Sequence, residues 1–143
     1  MLGFLFKRKK VPPTETPPCT ADTGAWGEAR AAALLKAEGF RVLGRNVRPN
    51  RRDEIDIIAR QGDTLVFVEV KTRRREDFGR PASAVDSRKR RALNRAATAY
   101  LRKAGIPGGL FYRFDIIEVL GLPGDPAPPT IRHIENAFPF KKN

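Results

Sequence analysis

The residues best placed to do chemistry are an acid and a base at the end of one apolar run. The run is Val66-Phe67-Val68-Glu69-Val70-Lys71, and its β-branched and aromatic residues are typical of a buried central strand. Glu69 and Lys71 are two residues apart, so both side chains leave the same face of a strand. Because burying charge without a partner costs free energy, this pattern indicates a site for a metal ion and a phosphate.

A second acid, Asp56, lies near the start of the preceding strand-like run. The two runs, 54–60 and 64–71, are separated by a short segment with Gly62 and therefore predict an antiparallel hairpin. Antiparallel pairing brings the beginning of one strand beside the end of the other, which would place Asp56 close to Glu69. A register shifted by one residue would instead send Asp56 to the opposite face.

Each of two predicted helices carries one charged residue on its apolar side. Glu28 shares an i, i+4, i+7 stripe with Ala32 and Leu35 and is expected to face the core, although a first-turn acid is also favoured by the helix dipole. Lys89 lies on the side of the second helix that carries Leu93. A lysine extending from the edge of the core to solvent is the simpler interpretation of Lys89.

Phosphodiester hydrolysis is the reaction that these side chains could perform together. Asp56 and Glu69, with the backbone carbonyl of Val70, are predicted to bind Mg²⁺ or Mn²⁺, because such hard cations prefer oxygen ligands. A bound ion lowers the pKa of a coordinated water. Lys71 would orient or deprotonate the attacking water, or neutralise charge on the phosphate. A salt-bridged cluster at the end of a sheet is the alternative that needs no metal.

The composition predicts a polyanionic partner. The 143 residues include 28 Lys and Arg against 16 Asp and Glu, a net charge of +12. Nucleic acid is the first partner expected and an anionic membrane surface the second. Solvated faces are the ordinary role of charge runs, but we expect phosphate contacts from Arg73, Arg74, Arg75, Arg88, Lys89, Arg90 and Arg91.

The sequence also excludes several kinds of site. A single cysteine, Cys19, and a single histidine, His133, rule out a disulfide framework and the usual zinc sites, and we expect a structural role for the histidine. No segment is long and apolar enough to span a bilayer. The start of the chain places apolar residues before charged ones, the reverse of a signal peptide. A cytoplasmic protein is therefore expected.

The chain is predicted to be one domain with an N-terminal tail. Residues 1–21 are basic and then proline-rich, a composition typical of disorder, and residues 22–143 suit a single domain. The order α-β-β-β-α-β-β predicts an α/β fold with a mixed sheet flanked by helices. The expected elements are a helix over 23–38 capped by Asp22 or Thr23, strands over 41–46, 54–60 and 64–71, a helix over 83–104, and strands over 112–120 and 130–135.

The same residues resemble a known family. Glu54-Ile55-Asp56 followed by Glu69-Val70-Lys71 looks like the acid and E-x-K elements of the PD-(D/E)xK nuclease superfamily, and the chain more closely resembles the YraN family of endonuclease-like bacterial proteins. That family usually has glycine where this chain has Asp53, which would add an acid near the metal. Further matching elements are Gly24-Ala25-Trp26-Gly27-Glu28, Arg45-Asn46, Phe78-Gly79 with Pro81, Lys89, and Arg113-Phe114-Asp115.

The resemblance implies a restriction-endonuclease-like fold and similarity to archaeal Holliday junction resolvases. It also implies Mg²⁺-dependent cleavage, with Glu28, Asp56, Glu69 and Lys71 at the active-site positions. The expected function is thus a metal-dependent endonuclease acting on DNA, including branched or damaged DNA, with a homodimer favoured by a resolvase role. A non-catalytic nucleic-acid-binding module on the same fold is the alternative. A basic structural protein would explain the charge but not the buried acids.

Overall fold

The computed structural model of the chain describes residues 20–75, 85–106 and 108–141. These residues form two helices and five strands in the predicted order, which confirms a mixed α/β fold. The elements are α1 (Thr20–Ala37), β1 (Arg41–Val47), β2 (Ile55–Gln61), β3 (Thr64–Arg73), α2 (Ser87–Ala104), β4 (Phe111–Leu120) and β5 (Thr130–Phe138).

The five strands form one sheet in the order β1-β2-β3-β4-β5. The pairs β1/β2, β2/β3 and β4/β5 are antiparallel, whereas β3 and β4 are parallel. Parallel neighbours need a long crossover connection, and α2 lies within the connection between these two strands. Because β3 and β4 are central in the sheet, their side chains are buried on both faces, which explains the nearly continuous apolar run in each.

Each face of the sheet carries one apolar core. Alternation along β3 sends Val66 and Val68 to the core under α1, and Leu65 and Phe67 to the core under α2. The row that begins with Leu65 and Phe67 continues with Glu69. The carboxylate predicted for the site therefore follows directly from the apolar side chains that pack under α2.

The helix ends differ in part from the predictions. α1 begins at Thr20, so the predicted cap at Asp22 or Thr23 is wrong; Asp22 is instead an acid in the first turn, where the helix dipole favours it. The predicted tail over residues 1–21 lies outside the described residues except for its last two positions. As expected, the chain leaves α1 at Gly39, whose φ of 88° suits glycine.

The start of α2 is fixed by Asp86, whose side chain accepts a hydrogen bond from Lys89 N at 2.8 Å. The predicted start at residue 83 is too early, because Val85 and Asp86 precede the helix. Residues 83 and 84 lie outside the described residues, as do Phe78, Gly79 and Pro81. Gly105 ends α2 in the left-handed conformation, as predicted.

The last strand is longer than predicted because a bulge lets it continue. Asn136 has a φ of 51°, and the register of β4 with β5 shifts between Phe114 and Ile116. Asparagine tolerates this conformation better than most residues, and two extra residues of β5, between the pairs Ile116–Ile134 and Phe114–Phe138, form a bulge beyond which the pairing resumes. β5 therefore runs to Phe138 instead of ending at Glu135.

Among the residues that the structure describes, neither helix combines the length and apolar character needed to cross a membrane.

Candidate active site

Asp56 and Glu69 meet where β2 and β3 separate. The ladder pairs Ile57 with Val68, so the next residues along, Asp56 and Glu69, face each other. Asp56 Oδ2 accepts a hydrogen bond from Val70 N at 2.8 Å, taking the place of a backbone partner at the end of the ladder. The structure thus brings the two carboxyl groups together, as the hairpin register predicts.

Burial makes this carboxyl pair unusual. Loss of solvent contact, followed by the neighbouring Glu69 carboxylate, raises the pKa of Asp56 to about 7. Burial also raises the pKa of Glu69, although Lys89 opposes the shift. Two close carboxyls in a buried site disfavour the doubly ionised state. Near neutral pH the pair therefore tends to retain a proton unless a cation neutralises it.

Lys89 provides part of that neutralisation. Its Nζ lies 3.4 Å from Glu69 Oε1, so the structure places on Glu69 an ammonium group that was expected to contact solvent or phosphate. The other oxygen, Glu69 Oε2, is buried and has no hydrogen-bond partner in the described part of the chain. An unsatisfied buried oxygen is the kind of atom that an ion or a water completes.

Lys71 follows Glu69 on the same face of β3. Burial, followed by the positive charge of Arg73, lowers the pKa of the Lys71 ammonium, while Glu69 and Glu118 oppose the shift. Within the described residues, Lys71 has no hydrogen-bond or ion-pair partner. A lysine of this kind is available to a substrate phosphate or to a water.

Glu28 reaches the same end of the sheet from α1. Burial, followed by the charge of Asp56, raises the pKa of Glu28, whereas a hydrogen bond from Asn46 and the charge of Arg45 oppose the rise. Its electrostatic interaction with Asp56 shows that Glu28 lies near the carboxyl pair. The Arg45-Asn46 element noted in the sequence therefore lies beside Glu28 rather than elsewhere on the surface.

The donors at this site fit a small hard cation. Residues 20–75, 85–106 and 108–141 contain no group of three or more His, Cys, Asp or Glu side chains arranged to hold a metal. Mg²⁺ needs only one or two protein carboxylates because it retains several waters. Asp56, Glu69 and the Val70 carbonyl are an oxygen-only set of this size.

Asp53 adds an acid near the carboxyl pair, as expected, but other residues already hold this acid. Asp53 lies with Asp56 and Lys89 on a pocket of about 380 Å³. However, Arg95 binds its two oxygens at 3.1 and 3.3 Å, and Asn50 donates to it at 3.0 Å. Burial alone would raise the pKa of Asp53, but these contacts hold that pKa below its usual value. Its charge is already neutralised by a residue 42 positions away.

The predicted phosphate-binding cations divide into two groups. Arg73 contacts Glu118 at 3.6 Å, Arg75 binds the Ala127 and Pro128 carbonyls, and Arg90 donates to the Val85 carbonyl at 3.0 Å. Together with Lys89, these side chains are engaged within the protein. The remaining three have no partner among the described residues, and they are Arg74, Arg88 and Arg91.

Two buried acids of β4 were not predicted as a charged cluster. Asp115 accepts hydrogen bonds from Arg113 and lies 2.7 Å from His133 Nε2, while His133 Nδ1 lies 3.2 Å from Glu38. The hydrogen bond to Asp115 raises the pKa of His133. No partner was predicted for this histidine because Asp115 is 18 residues away in the chain. The other acid, Glu118, is fully buried and bound by Arg132.

The fold and the site together define the class: a mixed α/β protein with a five-stranded sheet and a carboxyl pair at one end of its central hairpin. The chain belongs to the uncharacterised protein family UPF0102, whose profile matches residues 27–119. This is the YraN family that its motifs resemble.

Relatives in this family are similar over most of the chain. A UPF0102 protein of Symbiobacterium thermophilum is 47% identical over 115 residues, which cover 80% of this chain and 94% of the relative. One from Geobacter sulfurreducens is 46% identical over 115 residues, covering 80% and 87%. One from Moorella thermoacetica is 49% identical over 96 residues, covering 67% and 78%.

Proposed function

We propose that this protein is a divalent-metal-dependent nuclease that hydrolyses phosphodiester bonds in DNA, including branched or damaged DNA. The observation that supports this most directly is the partly buried Asp56–Glu69 pair, which combines a raised Asp56 pKa with a buried Glu69 oxygen lacking a described partner. Strongly perturbed carboxyls in a pocket are typical of functional sites. The net charge of +12 supports a nucleic-acid substrate.

Each residue of the site would have a separate role in the reaction. Asp56, Glu69 and the Val70 carbonyl would hold Mg²⁺ or Mn²⁺, which when bound supplies a water of lowered pKa and positive charge beside the phosphate. Val70 N–H orients Asp56. Lys71 Nζ would donate to a phosphate oxygen or, helped by its lowered pKa, accept a proton from water. Glu28 would orient a water from the α1 side.

One contact favours a second candidate, a nucleic-acid-binding module without chemistry. Lys89 Nζ already neutralises Glu69 in part, which is what a metal-free structural cluster would require. That contact is partly exposed, with 46% of the Lys89 side chain accessible. Such pairs contribute only about 0–1 kcal/mol, so a divalent ion would readily displace it.

The test is cleavage of linear, single-stranded and four-way-junction DNA, and of RNA, with Mg²⁺ or Mn²⁺ and with EDTA. Asp56→Asn and Glu69→Gln should each lower kcat by at least about 100-fold, because losing a direct metal ligand should exceed the 10–100-fold cost of losing a group that only orients ligands. DNA binding should persist or strengthen, since each change removes a negative charge near the phosphate. Lys71→Ala should weaken both cleavage and binding.

Asp63→Asn is the matched control, because it removes one acid from the turn at the other end of the same hairpin. It should cleave like the wild type. Ca²⁺ should support binding but little turnover, because its looser coordination holds the water less strictly. If wild type and Asp56→Asn are equally inert on all four substrates with either ion, the binding module replaces the nuclease.

A further inference from the structure

A groove runs along the exposed flank of α2. Its volume is about 560 Å³, and four of its lining residues are cationic: Arg90, Arg91, Arg95 and Lys141. The pocket with Asp56 and Lys89 is distinct from it. The last described residues of the chain, from Phe138 to Lys141, form its far wall.

Specific contacts hold this wall against the helix. Asn94 Nδ2 donates to Lys141 O at 2.6 Å, and Lys141 N donates to Asn94 Oδ1 at 2.8 Å. The side-chain amide thus pairs with the backbone as a neighbouring strand would. Across the groove, the Arg90 guanidinium lies 5.5 Å from the centre of the Phe138 ring. A groove whose shape is fixed in advance costs less free energy when it binds a ligand.

The charge distribution along α2 indicates an anionic ligand. The helix has seven basic residues and no acidic one, and five of the seven lie among its first nine residues. Cations near a helix N-terminus oppose the dipole, typically by about 0.3–1 kcal/mol each. α2 therefore concentrates positive charge where its own backbone disfavours it, and a bound phosphate backbone would relieve that repulsion.

We propose that this groove binds a single strand of nucleic acid beside the active site. Its volume lies within the range of about 300–1,000 Å³ typical of pockets that bind small molecules, so a nucleotide of a single strand would fit in it. A duplex, whose major groove alone is about 12 Å wide, is too large to enter. The exposed guanidinium of Arg90, which lies over the Phe138 ring, offers a planar surface for a base, while Arg91 and Lys141 offer contacts for phosphates.

The groove is close enough to serve the active site. Lys89, which contacts Glu69, precedes Arg90 of the groove, and Arg95 of the groove binds Asp53, which lines the pocket with Asp56. A single-stranded arm held in the groove would position the adjoining phosphodiester at Asp56 and Glu69. This inference rests on the proposed function, but binding can be measured without cleavage.

The experiment compares two double variants of the full chain that each remove two positive charges. Arg91→Gln/Lys141→Gln changes the groove, and Arg102→Gln/Lys103→Gln changes the last turn of the same helix. Affinity for single-stranded DNA, single-stranded RNA and blunt duplex DNA is measured by fluorescence anisotropy at several salt concentrations. Near-wild-type Tm values for both variants ensure that folding does not explain a difference.

The groove variant should bind single strands at least about 10-fold more weakly than the control variant at low salt. If both side chains contact phosphates, the slope of log K against log salt should fall by about 1.4, at about 0.7 per single-strand contact. Duplex affinity should change little more than in the control. Asn94→Ala, which releases the far wall without changing charge, should weaken single-strand binding in the same direction.

Equal effects of the two double variants, or a larger loss for duplex than for single strands, would overturn the inference. Such a result with metal-dependent cleavage intact leaves the proposed function standing. Conversely, the wild-type protein could bind single strands through the groove and yet cleave no substrate. That result would support the proposed groove and reject the proposed nuclease function. Equal affinities for single-stranded RNA and DNA would show that the groove recognises the phosphodiester backbone that the two share.

Discussion

At the scale of single residues, the buried and partly buried carboxyls of the sheet are of two kinds. Asp115 and Glu118 each face arginines that neutralise them inside the sheet. Asp56 and Glu69 face each other instead, and their one cationic contact among the described residues is the partly exposed Lys89. Buried charge is usually paired because an unpaired ion is costly. The second kind is therefore the one that a ligand would complete.

The first prediction at this scale concerns pH and the stability of the metal-free protein. The pKa of Asp56 is raised in the folded state to about 7, from about 3.9 in the unfolded chain. Ionised Asp56 therefore destabilises the fold, with a cost that is absent below about pH 4, grows as pH rises and is complete above about pH 7. The Tm in EDTA should accordingly fall between pH 5 and pH 8.

Asp56→Asn should remove most of the pH dependence of the Tm, because it removes the free-energy cost of ionised Asp56. At pH 8 the Tm should rise by roughly 4 °C for each kcal/mol of that cost. Differential scanning fluorimetry across pH measures the effect. Mg²⁺ should stabilise the wild type more at pH 8 than at pH 5, because the ionised pair binds it better. Asp63→Asn should keep the wild-type profile. A variant Asp56→Asn with an unchanged pH profile would show that the pair is not the source.

At the scale of elements, one glycine sets the distance between α1 and β3. A Cβ added at Gly27 would overlap Thr72 Oγ1, whereas at Gly24 a Cβ would meet nothing within 4 Å. α1 can therefore lie close to β3 only if residue 27 is glycine. Because Glu28 is the next residue, this contact also brings its carboxylate to the site.

Gly27→Ala should destabilise the protein by about 1–3 kcal/mol, the usual cost of overpacking. It should also lower metal-dependent cleavage, because α1 must move away from β3 and carries Glu28 with it. Gly24→Ala is the matched control and should be neutral or stabilising by up to about 1 kcal/mol, since alanine favours a helix. Urea unfolding measures both changes.

Thr72→Ala removes the overlapping Oγ1 and should rescue much of the stability lost in Gly27→Ala. A double-mutant cycle gives the coupling between the two positions directly. Additive effects of Gly27→Ala and Thr72→Ala would mean that the close approach of α1 to β3 does not explain the glycine.

At the scale of the whole molecule, the net charge of +12 should make DNA binding strongly dependent on salt. The structure refines which residues carry this effect, because Arg74 has no described partner while Arg75 binds the Ala127 and Pro128 carbonyls. An arginine already held by the protein has less freedom to reach a phosphate.

Arg74→Gln should therefore lower the slope of log K against log salt on duplex DNA by about 0.9, the value for one lost phosphate contact. Arg75→Gln is the matched change of the neighbouring residue and should lower it less. Titrations at four or more salt concentrations give both slopes. An affinity that hardly changes between low and moderate salt would contradict the electrostatic account.

The sequence by itself determined the order of the elements and predicted the pairing of Asp56 with Glu69, while leaving open a register shifted by one residue. Apolar periodicity sets the faces of helices and strands, and a short turn near Gly62 fixes the hairpin register. These features depend on residues close together in the chain. Gly39 and Gly105 marked helix ends for the same reason, since each relieves a local backbone strain.

The tertiary structure alone decided which charges are neutralised and which are left for a ligand. Arg95 donates hydrogen bonds to Asp53, His133 is hydrogen-bonded to Asp115, and Lys89 forms an ion pair with Glu69. In each pair the two residues are far apart in the chain. Long charged side chains can meet several partners, and packing of separate elements selects among them. The same packing brings Asn94 to Lys141 and so forms the groove. No local sequence pattern predicts these contacts, because they form, and contribute to stability, only when the sheet and both helices are packed together.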